Sequence, residues 1–155
     1  MAMNSVLMAQ WREIRQLTYD YLDNLQADQL GLKMPFSESQ PIGYQFWCMV
    51  GAHESYLRNL EAGSWQGFAS SLDGFDKVTP QIIKEQMQAA DASMAKLLNM
   101  IDLDESLENG QKGYEIVFQM IKHEMHHHGQ LINLLYCHHL PIPKSWADEW
   151  ALAYE

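Results

Sequence analysis

Four of the chain's seven histidines fall in one short run, His123-Glu-Met-His-His-His-Gly-Gln130. His123 and His127 are four residues apart, so on a helix their imidazoles lie one turn apart on the same face. That spacing lets two ring nitrogens reach one ion at about 2.0–2.1 Å. A third histidine, His53, sits in another amphipathic stretch. On a wheel of about 100° per residue, Ile42, Phe46, Met49, Val50, Leu57 and Leu60 all fall within about 60° of it. His53 is therefore centred on a core-facing stripe. His123 and His127 share their face with Ile116, Met120, Leu131 and Leu134, and Glu124 falls inside the same arc. A buried carboxylate is expensive without a partner or a nearby cation. One divalent ion in the core, held by His53, His123 and His127, accounts for all four inward groups. A solvated histidine-rich face accounts only for His126, His138 and His139, the last two of which suit a helix C-terminus.

The elements that must position these side chains read as helices throughout. Helix one is expected from Asn4 or Ser5 to about Gln26, with Val6, Leu7, Trp11, Ile14, Leu17, Tyr21 and Leu25 recurring at three and four residues. Leu30 to Pro35 reads as a break. Helix two opens between Ser37 and Pro41 and ends before Gly63. Helix three opens on Thr79, an N-cap, with Pro80 at its first position, and runs to about Asn99. Helix four starts between Asn109 and Gly113 and stops before Pro141. A short last helix follows Ser145 with Trp146, Trp150 and Leu152. The expectation is a single all-α domain over residues 1–155: a four-helix bundle plus a short C-terminal helix. Helices one and two, and three and four, are expected as antiparallel neighbours. The long link from Gly63 to Val78 can cross one end of the bundle, so helices two and three can run parallel.

Composition narrows the partners. Twenty acids against ten bases give a formal charge of −10. Binding nucleic acid needs clustered Lys and Arg, which are missing, and an anionic membrane surface is disfavoured for the same reason. No apolar run approaches the roughly 18–20 residues of a membrane span. Met1 to Ser5 lacks the basic-then-apolar pattern of a secretory signal, so cytoplasmic residence is the expectation. Cys48 and Cys137 are the two cysteines and form no Cys-x-x-Cys pair; both read as buried free thiols, which disfavours a structural zinc–thiolate site.

The run His123-Glu-Met-His-His127 also fits the H-E-x-x-H pattern of zinc proteases, with Glu124 as general base. Its extended form fails at Gln130 and Asn133, Glu149 is the conceivable downstream ligand, and no strand pattern supplies a substrate-binding sheet. A di-iron carboxylate bundle needs two Glu-x-x-His motifs, and Glu124-Met-His-His127 is the only one.

With His53 on helix two and His123-x-x-x-His127-His-Gly-Gln130 on helix four, the chain resembles the DinB-like family of metal-binding four-helix bundles. His128 stands where arginine is usual in that family. The resemblance implies parallel second and third helices, a divalent metal on three histidines and frequently a homodimer. It also brings in relatives that are thiol-dependent transferases or an isomerase using a low-molecular-weight thiol. Three protein ligands leave a position open, the pattern of a catalytic site. With what the resemblance implies, the leading expectation is a metal-dependent enzyme of thiol-transferase or hydrolase kind acting on a small molecule. Glu124 is the candidate base and Gln130 a candidate support for a ligand histidine. The ion itself is left open among zinc, nickel and iron. A metal-binding or sensing protein without catalysis is the rival. Homodimerisation is further expected from Phe118, Met125, Ile132 and Tyr136, which carry apolar character around helix four beyond one stripe.

Overall fold

The computed structural model describes residues 2–72, 74 and 77–154. These residues form five helices: α1 Ala2–Asp23, α2 Ile42–Ala62, α3 Pro80–Leu98, α4 Gly113–Cys137 and α5 Lys144–Trp150. A 3-10 turn, Ala27–Gly31, follows α1. No strand occurs among the described residues, and no helix there is long and apolar enough to cross a membrane. Asp73, Phe75 and Asp76 of the expected long link lie outside the described residues.

The helix boundaries follow local chemistry. Thr79 caps α3 as expected, its hydroxyl accepting from the Ile82 N–H at 3.2 Å, with Pro80 behind it. Gly63 ends α2 at φ +72, a left-handed turn that glycine takes without a Cβ clash. Three boundaries differ from the sequence reading. Helix α1 starts at Ala2, because Asn4 spends its side chain on the end of α3, donating to the Leu98 and Ile101 carbonyls at 2.8 and 3.1 Å. It ends at Asp23 because the 3-10 turn takes over beyond Gln26, whose N–H is held by Gln29. Helix α5 starts at Lys144, directly after Pro143, and Leu152 lies past its end.

Two apolar clusters give the chain directions. One joins Tyr21 and Leu22 to Ile42, Phe46, Ile83, Met87, Leu131 and Leu134. The other joins Leu7 and Trp11 to Leu57, Leu60, Leu97, Leu98, Ile116 and Val117. The start of α1 thus meets the start of α4 and the ends of α2 and α3, so α2 and α3 run parallel. The neighbour relations differ from expectation. Helix α1 packs on α3 and α4, and α2 packs on the same two. The consecutive pairs α1/α2 and α3/α4 are antiparallel but lie across the bundle from each other. The reason is link length: Asn24–Pro41 and Asn99–Lys112 are long enough to cross an end of the bundle.

The long link is docked rather than loose. Ser55 on α2 accepts from the Ala69 N–H at 3.1 Å, Arg58 donates to the Ala69 carbonyl at 3.1 Å, and Glu54 takes the Ser71 N–H at 2.8 Å. The Phe68 ring crosses Gly51 so closely that a Cβ there would sit 2.4 Å from it.

A polar layer separates the two clusters. Arg15, only 2% exposed, lies in the apolar stripe of α1, where it and Thr18 take inward positions while Val6 is exposed. Its Nη1 donates to Glu124 Oε1 on α4 at 2.9 Å, and its Nε lies 3.3 Å from Asp91 Oδ1 on α3. Thr18 donates to the same Glu124 oxygen at 2.5 Å. The cation beside the buried Glu124 is therefore a guanidinium. Removing one partner of a buried pair costs about 3–5 kcal/mol, because the other charge is left uncompensated. Arg15→Met is expected to lose stability of that order in urea unfolding, and adding Glu124→Gln should recover part of it. Parent-like stability of Arg15→Met would show that this layer does not hold the bundle together.

Candidate metal centre

Helices α2 and α4 pack side by side and present short motifs to each other. On α2, Gln45 and Cys48 are three residues apart and share a face; on α4, His123 and His127 are four apart. His123 Nε2 lies 3.3 Å from His127 Nε2 and 3.6 Å from Cys48 Sγ. Among the described residues, the donor atoms of Cys48, His123 and His127 all lie within 4.8 Å of one another. A tetrahedral ion with bonds of about 2.0–2.1 Å to nitrogen and 2.3 Å to sulfur sets nitrogens about 3.3 Å apart, and nitrogen about 3.6 Å from sulfur. The chemistry of the donor set and the two spacings measured from His123 fit a divalent metal.

Gln45 orients the His127 ring. Its Oε1 lies 2.7 Å from His127 Nδ1. An amide oxygen only accepts, so Nδ1 carries the ring proton and Nε2 keeps its lone pair toward His123 and Cys48. Both imidazoles are kept neutral. Burial, then the neighbouring His123 and His126, push His127 down to about 3. Burial and His126 also lower His123. Burial raises the Cys48 thiol, so binding an ion there displaces a proton from sulfur.

The site opens on a cleft of about 550 Å³, with Phe36, Tyr44 and Leu134 as apolar wall and Glu38 and His126 as ionisable side chains. The other residues singled out by sequence fall in different places. The structure brings His123 and His127 together; His53 lines a small cavity with His123 but is not part of the donor group. Arg15 Nη2, which can only donate, lies 2.9 Å from His53 Nδ1. The ring proton then sits on Nε2, which is buried without a partner, so neither nitrogen offers a lone pair to an ion. His53 packs on Trp11 at 4.7 Å between ring centroids and belongs to the polar layer. Glu124 is 1% exposed and held by Arg15 and Thr18, with burial raising its pKa. Gln130 contacts His126 at 2.9 Å. His128 is buried, with Nε2 2.8 Å from Thr18 Oγ1 and its ring on Trp146.

The cysteines also part from the sequence reading. Cys48 is half-buried and Cys137 is exposed, because α4 ends there. The signal for Cys48 was its place one turn after Gln45. At about 100° per residue, Cys48 lies about 140° around α2 from His53, so a wheel centred on His53 looks toward α1 and misses the face that meets α4.

The sequence model of the DinB family matches residues 1–137. The chain belongs to the DinB family. No match was found among curated proteins or among solved structures. In this DinB-family chain the pair on the fourth helix, His123 and His127, is met from the second helix by a thiol.

The buried histidines give the metal-free protein a defined pH dependence. His53 is lowered well below 6.5 by burial and Arg15, and His127 and His128 are each lowered to about 3. Between about pH 3 and 6.5 the unfolded chain binds protons at His127 and His128 that the folded chain does not, and His53 acts in the same direction below 6.5. Stability therefore rises with pH across that window and is lost on acidification, at up to about 1.4 kcal/mol per pH unit for each histidine. Denaturant melts in chelator from pH 7.5 to pH 4.5 should show this decline. A flat profile would contradict the burial of these rings in their neutral form.

Proposed function

We propose that this DinB-family chain is a mononuclear zinc protein in which Cys48, His123 and His127 hold the ion and a small-molecule substrate enters from the cleft. The observation that carries this is the meeting of three soft or borderline donors at the floor of an open cleft. A thiolate beside imidazoles favours zinc over harder ions. Three ligands leave a fourth position, the pattern of catalytic sites. When bound, the ion lowers the pKa of a water or low-molecular-weight thiol, making a nucleophile near neutral pH.

The chain supplies the rest. Gln45 fixes the orientation of His127. Phe36, Tyr44 and Leu134 bury the apolar part of a substrate and exclude water. His126, on the cleft wall with its ring 5.2 Å from that of His127, takes the proton released at the open position. Glu124 is enclosed and paired, so its role is to balance Arg15. An ionisable wall around an open site favours an enzyme of transferase or hydrolase type over a sealed binding protein. Elemental analysis of variants tests the ligand set. Cys48→Ala and His127→Ala should each lose most of the bound zinc with helical content intact, while His53→Gln keeps about one equivalent. Zinc kept by Cys48→Ala and lost by His53→Gln would restore the all-histidine set.

We also propose that the chain pairs with a second copy through the outer face of α4. Phe118, Met125 and Tyr136 are 47%, 42% and 37% exposed there. Gly129 lies between them in open space, where a helix interior ordinarily disfavours glycine by about 1 kcal/mol relative to alanine. Light scattering should give the dimer mass at micromolar concentration, and Met125→Glu the monomer mass. A parent protein of monomer mass throughout would end this reading.

A further inference from the structure

Of the three donors at the centre, only one is open to mild oxidation. Imidazoles survive dilute peroxide, whereas a thiolate is converted to a sulfenic acid. Cys48 is half-buried and lines the open cleft, so a small hydroperoxide reaches its sulfur. Arg15, Glu124 and Asp91 hold the helices in register without the ion. Loss of the ion thus leaves the bundle standing with two imidazoles still facing the cleft.

We propose that Cys48 is an oxidation site through which a hydroperoxide releases the metal ion, an inference that rests on the ligand set proposed above. The Cys48 thiolate attacks one oxygen of hydrogen peroxide. An S–O bond forms, the O–O bond breaks, and the second oxygen leaves with the electron pair as hydroxide. Sulfur loses two electrons and the peroxide gains them. The sulfenic acid is a poor ligand, and its added oxygen occupies the space between Sγ and His123 Nε2, now 3.6 Å apart. Two nitrogens alone hold zinc far more weakly than two nitrogens and a thiolate.

Reversal needs an external thiol. Cys137 lies on α4 about 21 Å along the axis from His123, so it cannot reach Cys48 to form an intramolecular disulfide. One molecule of a low-molecular-weight thiol condenses with the sulfenic acid, expelling water and leaving a mixed disulfide. A second releases Cys48 as thiol and departs as the small-molecule disulfide. The sulfur then rebinds the ion.

The test uses the full chain, reduced and loaded with one equivalent of zinc, titrated with hydrogen peroxide. Free zinc is read with a chromogenic chelator and Cys48 by dimedone labelling and mass spectrometry. Most of the zinc should appear free in step with Cys48 oxidation and return to the protein after dithiothreitol. Cys137→Ser should behave as the parent. Cys48→His should bind zinc and keep it at the same peroxide concentration. Zinc retained by the parent, with Cys48 labelled or unlabelled, overturns the inference. Equal release from Cys48→His overturns it as well. A reduced parent that takes up no zinc at the outset overturns the metal centre itself and this inference with it.

Discussion

The bundle is organised around one buried cation. Arg15 places its guanidinium between two apolar clusters and meets a partner from each of the other long helices: His53 on α2, Asp91 on α3 and Glu124 on α4. Greasy faces alone tolerate sliding by a turn. A buried charge does not, because every alternative register leaves it or its partners unpaired, at a cost of several kcal/mol. Trp11 supports the arrangement twice, with its ring 4.5 Å from the Arg15 guanidinium carbon and its indole N–H on Asp91 at 2.9 Å. The register fixed in this layer is what brings the Gln45–Cys48 face of α2 against the His123–His127 face of α4.

Two populations of inward-pointing histidine result, unlike in chemistry. His53 and His128 face Arg15 and Thr18, and each engages one ring nitrogen there while the other is buried without a partner. His123 and His127 face a cleft, and the lone pair of His127 is directed there by Gln45. Burial keeps both kinds neutral. What separates His127 from the core pair is an amide oxygen that holds its ring proton on Nδ1 and leaves Nε2 free toward the donor group.

This distinction explains what could and could not be read from the sequence. The all-α class, the cap at Thr79 and Pro80 and the pairing of His123 with His127 are all properties of short spacing, whereas the parallel run of α2 and α3 was legible in the length of the link between them. The short spacings survive because a helix repeats every few residues. The inward direction of His53 and Glu124 was also legible, but its reason was not. Arg15 lies far from Glu124 in the chain, and nothing in the periodicity of α1 marks a cation that a carboxylate on α4 will need. The same limit hid Cys48. Helix α2 is buried on several faces, so its apolar arc does not single out the side that meets α4. An unpaired charge in the middle of the α1 stripe, between Trp11 and Thr18, was the one local sign of the polar layer.

The docking of the long link has a consequence in polymer terms. A free tether between two parallel helices pays a closure entropy set by its whole length, and that cost grows by only about 0.6 kcal/mol per doubling. Here Ser55, Arg58 and Glu54 fasten the chain at Ala69 and Ser71. The tether is thereby divided into two independent spans, each closed separately. A change of length on one side of the fastening is absorbed on that side. The end of α2 and the start of α3 are therefore free to drift apart in sequence length over evolutionary time without altering how the two helices lie together.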